Sequence, residues 1–203
     1  MADSAENDRG PSIRPLFRRV RCEPREIWMH YAMINCCGFN DRSFSTPLHH
    51  AAQRGSSKQR INFFLDLGAW RTLRNAKGER PVDIARKLEY EHLYELLEPI
   101  LHHQVPRSDL MQMQKEFHNL IRERIEEPIR RLSLRLPELE PLLELKEPKM
   151  FFFVPEEWGS FIYWLDTSGK VPKLISESRC YSEKGRGQRH VITAQGAALE
   201  AEL

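Results

Sequence analysis

The chain has 203 residues, with 31 lysines and arginines against 29 aspartates and glutamates and 40% apolar residues. That length can bury a real core without disulfide or metal staples, and the near-neutral charge argues against a dedicated nucleic-acid binder. The cysteines, Cys22, Cys36, Cys37 and Cys180, form no C-x-x-C pair and no regular framework, which points to reduced thiols inside a cell.

The first residues are polar and acidic, unlike a secretory signal. Residues 1–12, with Gly10-Pro11 near their end, read as a disordered leader. The most apolar uncharged runs, Met150–Val154 and Trp158–Leu165, fall short of membrane-spanning length. The expectation is a cytoplasmic protein with no membrane partner.

Residues 13–37 read as helical, with Ile27, Trp28, Tyr31 and Ile34 at roughly helical spacing. Arg14-Pro15-Leu16-Phe17 precedes Thr46-Pro47-Leu48-His49 by 32 positions (46 − 14). It reads either as a degenerate copy of that stretch or as part of an ordinary capping pair of helices.

Residues 38–101 are the most patterned part. Gly38–Ser45 is a polar turn. Thr46-Pro47 then starts a helix, with proline where its missing N–H costs nothing. Ala51 and Ala52 are small enough for a neighbouring helix to approach closely. A second helix carries Ile61, Phe64 and Leu65 on one face, and Gly68 ends it. Ala69–Glu79 is another turn region, with Asn75 and Gly78 as turn residues. A weaker copy, Arg80-Pro81-Val82-Asp83-Ile84-Ala85, begins 34 positions after Thr46 (80 − 46). Its helices are expected at Arg80–Leu88 and His92–Ile100, with Leu93, Tyr94, Leu96 and Leu97 buried.

Motif, glycines and period together resemble the ankyrin-repeat family, whose signature is T-P-L-H-x-A at about 33 residues. The resemblance covers two adjacent repeats at residues 45–101, with residues 13–44 as a candidate degenerate third. The second copy has Arg80 for threonine and Asp83 for histidine, and Glu98-Pro99 stands where glycine-alanine would lead to a further finger. The array therefore reads as closed near residue 101.

The resemblance implies a non-enzymatic protein–protein interaction module, an adaptor or inhibitor, which binds through its finger tips and the concave face of the first helices. By position those surfaces carry Arg42, Phe44, His50, Gln53, Arg54, Trp70, Arg74, Lys77, Glu79 and Lys87. Trp70 beside arginines has the composition of an interface hot spot, or else packs against a flanking segment. For His49 the resemblance implies a structural role, bonding to neighbouring backbone and ordering the fingers.

Residues 102–109 read as a linker, with Ser108 or Asp109 as a cap. From 109 to 134, Leu110, Met113, Phe117, Leu120, Ile121, Ile125, Ile129 and Leu132 step mostly by three and four, an amphipathic helix. Pro128 predicts a kink or break near Glu127. Residues 136–149, rich in proline and glutamate, read as a loop with a short helical turn at Leu139–Leu145. Residues 102–148 together are the linker and helix.

Residues 149–203 form a small antiparallel β region. Phe151–Val154, Phe161–Leu165 and Val171–Ile175 are candidate strands, and Arg179–Ser182 with Arg189–Thr193 make a hairpin. The tail from Ala194 is ambiguous by pattern. The predicted fold class is α+β, a short helical stack followed by an amphipathic helix and a small sheet packed on it.

Two other functions compete. Between Thr167 and Thr193 there are six lysines or arginines against two acids. Lys184, Arg186 and Arg189 in that hairpin are a candidate anion-binding set for phosphate or nucleic acid. An enzyme site in the C-terminal half, near Glu156, Glu157 and His190, is the remaining alternative. No P-loop, Rossmann, G-x-S-x-G or H-E-x-x-H motif occurs, and adjacent His102 and His103 point apart, so no cofactor or metal is expected.

Overall fold

The structure is a computed structural model that describes residues 34–37, 41–132, 134–154, 159–180 and 187–203. The leader at 1–12, most of the candidate repeat from 13, and Glu156, Glu157, Lys184 and Arg186 lie outside these residues. No helix among the described residues is long and apolar enough to cross a membrane.

The 34-residue period is present in the backbone. Helix α1 is Pro47–Gln53, and α3 is Pro81–Lys87, so both ends are offset by 34 (81 − 47, 87 − 53). Left-handed residues recur at the same offset: Phe44 (φ 52°) with Gly78 (φ 75°), and Gly55 (φ 57°) with Glu89 (φ 58°). Glycine is required at 55 on two counts, since a Cβ there would also lie 2.8 Å from the Tyr90 ring.

The second helices differ. Helix α2, Lys58–Asp66, makes two and a half turns. Its counterpart is a 3₁₀ turn at Glu91–Leu93 followed by α4, Tyr94–Leu97, so the helix expected at His92–Ile100 is shorter. Glu98 is already extended (ψ 128°), as the residue before a proline is biased to be. Leu48, Ala52, Ile61, Val82, Ala85, Leu93 and Leu97, all fully or almost fully buried, make the core between the units.

Helix α5 spans Arg107–Leu132, so Ser108 and Asp109 lie in its first turn and do not cap it. The helix is broken at Ile125 (φ −143°, ψ 41°), two residues before Glu127, as the proline leads one to expect. Pro128 supplies no N–H for the preceding turn, and its ring crowds that turn. The row Leu110, Met113, Phe117, Leu120, Ile121 and Ile125 is buried against the sheet.

The sheet is an antiparallel meander in chain order: β1 (Lys149–Val154), β2 (Gly159–Asp166), β3 (Lys173–Cys180), β4 (Gln188–Thr193) and β5 (Gly196–Glu202). The third predicted strand and the first arm of the predicted hairpin are one strand, β3. It starts after Pro172, so Val171 is outside it and exposed. The ambiguous tail is β5, folded onto β4 through a two-residue turn. Strand β2 alternates strictly between buried and half-buried positions, and its inner row of Phe161, Tyr163 and Leu165 meets α5. The Phe117 ring meets Tyr163 at 4.9 Å and the edge of Phe161 at 6.3 Å between centroids. The architecture is α+β.

The proline- and glutamate-rich stretch between α5 and β1 holds the expected short helical turn, a 3₁₀ helix at Glu140–Glu144. Leu139, Leu142 and Leu143 are buried in the same core as α5 and the sheet, the last two in that 3₁₀ helix. The glutamates between these leucines turn the other way, onto the helical stack. Glu144 accepts hydrogen bonds from the N–H of Arg71 (3.1 Å), the N–H of Thr72 (2.7 Å) and the hydroxyl of Thr72 (2.6 Å). Glu140 accepts from Arg74 (3.2 Å) and Arg80, and Glu138 from the N–H of Arg74 (3.2 Å) and from Arg135. Arg135 also donates to the carbonyls of Phe44 (3.1 Å) and Arg74, while its guanidinium lies over the Phe44 ring at 5.1 Å.

Removing the Glu144 carboxylate strands three donors in a site where only 6% of its side chain is exposed. Glu144→Ala is expected to cost roughly 2–4 kcal/mol in urea unfolding. Glu98→Ala, which breaks an exposed pair with Arg86, is expected to cost under about 1 kcal/mol.

Candidate functional site

The site is built on the stretch from Thr46 to Phe64. Thr46 N–H donates to His49 Nδ1 at 3.2 Å, and the Thr46 hydroxyl lies 2.8 Å from the same nitrogen. Since a backbone N–H can only donate, Nδ1 is the bare nitrogen, and Nε2–H donates to the Glu79 carbonyl at 3.1 Å. His49 therefore ties the start of α1 to the turn before α3. A direct backbone bond, Ala76 N–H to the Ser43 carbonyl (2.7 Å), joins the two turns as well. Burial pushes the His49 pKa down to about 4, against its bond to Glu79. In the second unit Arg80 N–H donates to Asp83 Oδ2 at 2.9 Å. Aspartate closes its own turn, but it has no second ring nitrogen to reach a further one.

With α1 held this way, Pro47, His50, Ala51 and Arg54 line one side of a cleft of about 330 Å³. Helix α2 supplies Arg60 and Phe64, and the turn between them supplies Ser56. No carboxylate lines it among the described residues. The nearby Asp41 is engaged by Ser43, whose N–H and hydroxyl both donate to it at 2.8 Å, and these bonds hold its pKa low. Beside the cleft the Phe63 ring meets Phe64 at 5.8 Å and is 59% exposed, and Leu67, one turn on, is 50% exposed.

Charge is distributed unevenly along the stack. In the second unit and the turn before it, Arg71, Arg74, Arg80, Arg86 and Lys87 each meet a carboxylate. In the first unit, Arg42, Arg54, Lys58 and Arg60 meet none among the described residues, although all are exposed.

The residues predicted from repeat position divide accordingly. His50 and Arg54 line the cleft, and Arg42 and Gln53 are exposed on the same unit. Trp70, Arg74 and Phe44 belong to the seam: Trp70 packs against the core of α5 and the sheet, Arg74 meets Glu138 and Glu140, and Phe44 lies under Arg135. Lys77 is exposed at a turn tip, and Glu79 pairs with Lys87. Arg60, Phe63 and Phe64 were not among the predicted binding residues. They come from α2, whose amphipathic spacing marked only its buried face.

In the C-terminal half, Arg189 is ion-paired with Glu177 and Glu200. His190 is buried beneath α5, and burial, then Arg124, lowers its pKa. A second cleft of about 220 Å³ lies at the seam, between Trp70, Cys37, Arg135 and the edge of β1. Burial raises the Cys37 pKa there, so the thiol is not activated.

No protein-family model, no curated protein and no solved structure matches the chain.

The His49 tie predicts a pH dependence. A histidine whose pKa falls on folding contributes fully above its ordinary value of 6.5 and less as pH drops toward its folded value of about 4. Across that window His49 alone is expected to lose about 3 kcal/mol of stability. His118 and His190, also lowered, act in the same direction. Urea unfolding at neutral pH and near pH 4 measures the loss, and His49→Gln should flatten the profile.

Proposed function

We propose that this protein is a non-enzymatic protein-binding module, and that residues 45–101 are a short ankyrin-type stack that engages its partner through the first unit. The observation that carries this reading is the contrast between the two ends of the stack. One end is sealed: Trp70, Arg71, Arg74 and Arg80 are occupied by the chain's own C-terminal half. Among the described residues the first unit presents His50, Arg54 and Arg60 around a cleft, with Phe63 and Leu67 exposed beside it. An exposed aromatic beside arginines is the composition of an interface anchor. The ankyrin assignment draws support from the 34-residue recurrence of helix bounds and left-handed residues, and from His49 bridging two turns. A cytoplasmic location goes with the absence of a disulfide framework in the cysteine pattern.

The anion-binding alternative at the β3–β4 hairpin has less behind it, because Arg189 is already engaged by two glutamates.

A photo-crosslinking amino acid tests where a partner sits. Placed at Phe63, it is expected to capture a discrete protein in cells. Placed at Arg74, in the seam, it is expected to capture none. Equal capture at both positions, or capture only at Arg74, would refute the assignment of the surface.

A further inference from the structure

We propose that the partner presents an acidic peptide segment with one large apolar side chain to the first-unit cleft. This inference rests on the protein-binding reading and names its chemistry. Two arginines, Arg54 and Arg60, and the imidazole of His50 line the cleft, and no carboxylate lines it among the described residues. In the rest of the stack Arg71, Arg74, Arg80, Arg86 and Lys87 have carboxylate partners within the chain, and among the described lysines and arginines there only Lys77, at a turn tip, has none. Among the described residues no acid pairs with Arg54 or Arg60, and on this proposal the partner supplies it. Electrostatic complementarity of this kind selects partners and their orientation more than it adds affinity.

The floor between the cations is apolar, formed by Pro47, Ala51 and Phe64, and it continues onto the exposed Phe63 ring. At about 330 Å³ the cleft is at the bottom of the roughly 300–1,000 Å³ span of small-molecule sites, a size for a side chain rather than a cofactor. Nucleic acid fits less well. Duplex binders commonly neutralise about 6–10 phosphates along a continuous basic track. Here two arginines stand beside a small, partly apolar cleft, in a chain of formal charge +2.

Fluorescence anisotropy on the full chain tests this with defined probes. The reference probe is a short labelled peptide of alternating aspartate and glutamate with one central leucine. The controls are the same peptide with serine for leucine, its lysine counterpart, and a short DNA duplex. The reference probe is expected to bind, and Arg54→Ala with Arg60→Ala to weaken it roughly tenfold. Arg86→Ala, which removes an exposed charge elsewhere, is expected to leave binding unchanged. The serine peptide should bind several-fold more weakly than the reference, and Phe63→Ser should narrow that gap. Thermal melts of each variant separate lost binding from lost folding. The proposal is overturned if the reference probe does not bind, if it ignores the arginine pair, or if the lysine peptide or the duplex binds as well. Failure of the probe with continued crosslinking at residue 63 would remove the acidic chemistry alone. Failure of both would remove the protein-binding reading with it.

Discussion

Glu144 is the charge on which the arrangement depends. Its carboxylate is nearly excluded from water and takes three hydrogen bonds from two consecutive residues of the stack. A buried carboxylate is tolerable only when its oxygens are satisfied, and removal of its partners costs more than the pair itself contributes. The 3₁₀ helix that carries it is therefore held in one position. Leu142 and Leu143 on the same turn enter the core shared by α5 and the sheet. One short segment thus has a polar side committed to the helical stack and an apolar side committed to the β layer. Glu138, Glu140 and Arg135 extend the polar side as far as the Phe44 carbonyl.

This seam explains why so short a stack persists. Helical repeats bury their apolar faces only against neighbours, so the two described units leave much surface to cover. Beyond α4 the cover is the chain's own C-terminal half, with Trp70 packed into its core. The second unit accordingly lacks what a further repeat would use. Asp83 closes the start of α3 without a ring nitrogen to reach onward, and Glu98 turns extended before Pro99. Glu89 stands in a left-handed conformation where the first unit has Gly55.

The period, the helix starts and the inward row of α5 were legible in the sequence, since each follows from local spacing and from proline or glycine chemistry. The first two strands were legible from their aromatic runs. What was not legible was long-range. Nothing in the pattern from Arg135 to Leu145 says that its leucines and glutamates face different partners, because a 3₁₀ turn has no strong hydrophobic period. For the same reason Arg74 reads as a finger-surface residue, and for Trp70 the packing against a flanking segment was legible without the segment itself, which lies more than 60 positions further on. Strand β5, of small and acidic residues with almost all side chains exposed, carries no alternation to detect and is fixed by pairing with β4. The binding cleft was half legible: repeat position picked out His50 and Arg54, whereas Arg60 and Phe63 join them only through the turn between α1 and α2.

A single polar seam joining two unlike cores should make them unfold together. In a Trp28→Phe background the three remaining tryptophans, Trp70 at the seam, Trp164 on the sheet and Trp158 six residues before it in sequence, report the C-terminal half by fluorescence, while helical circular dichroism is weighted toward the stack and α5. The direct test is urea unfolding followed by both signals, on the intact chain and on Glu144→Ala. The account predicts one coincident transition for the intact chain and separated transitions for the variant. Separate transitions in the intact chain, or coincident ones that Glu144→Ala leaves where they were, would contradict it.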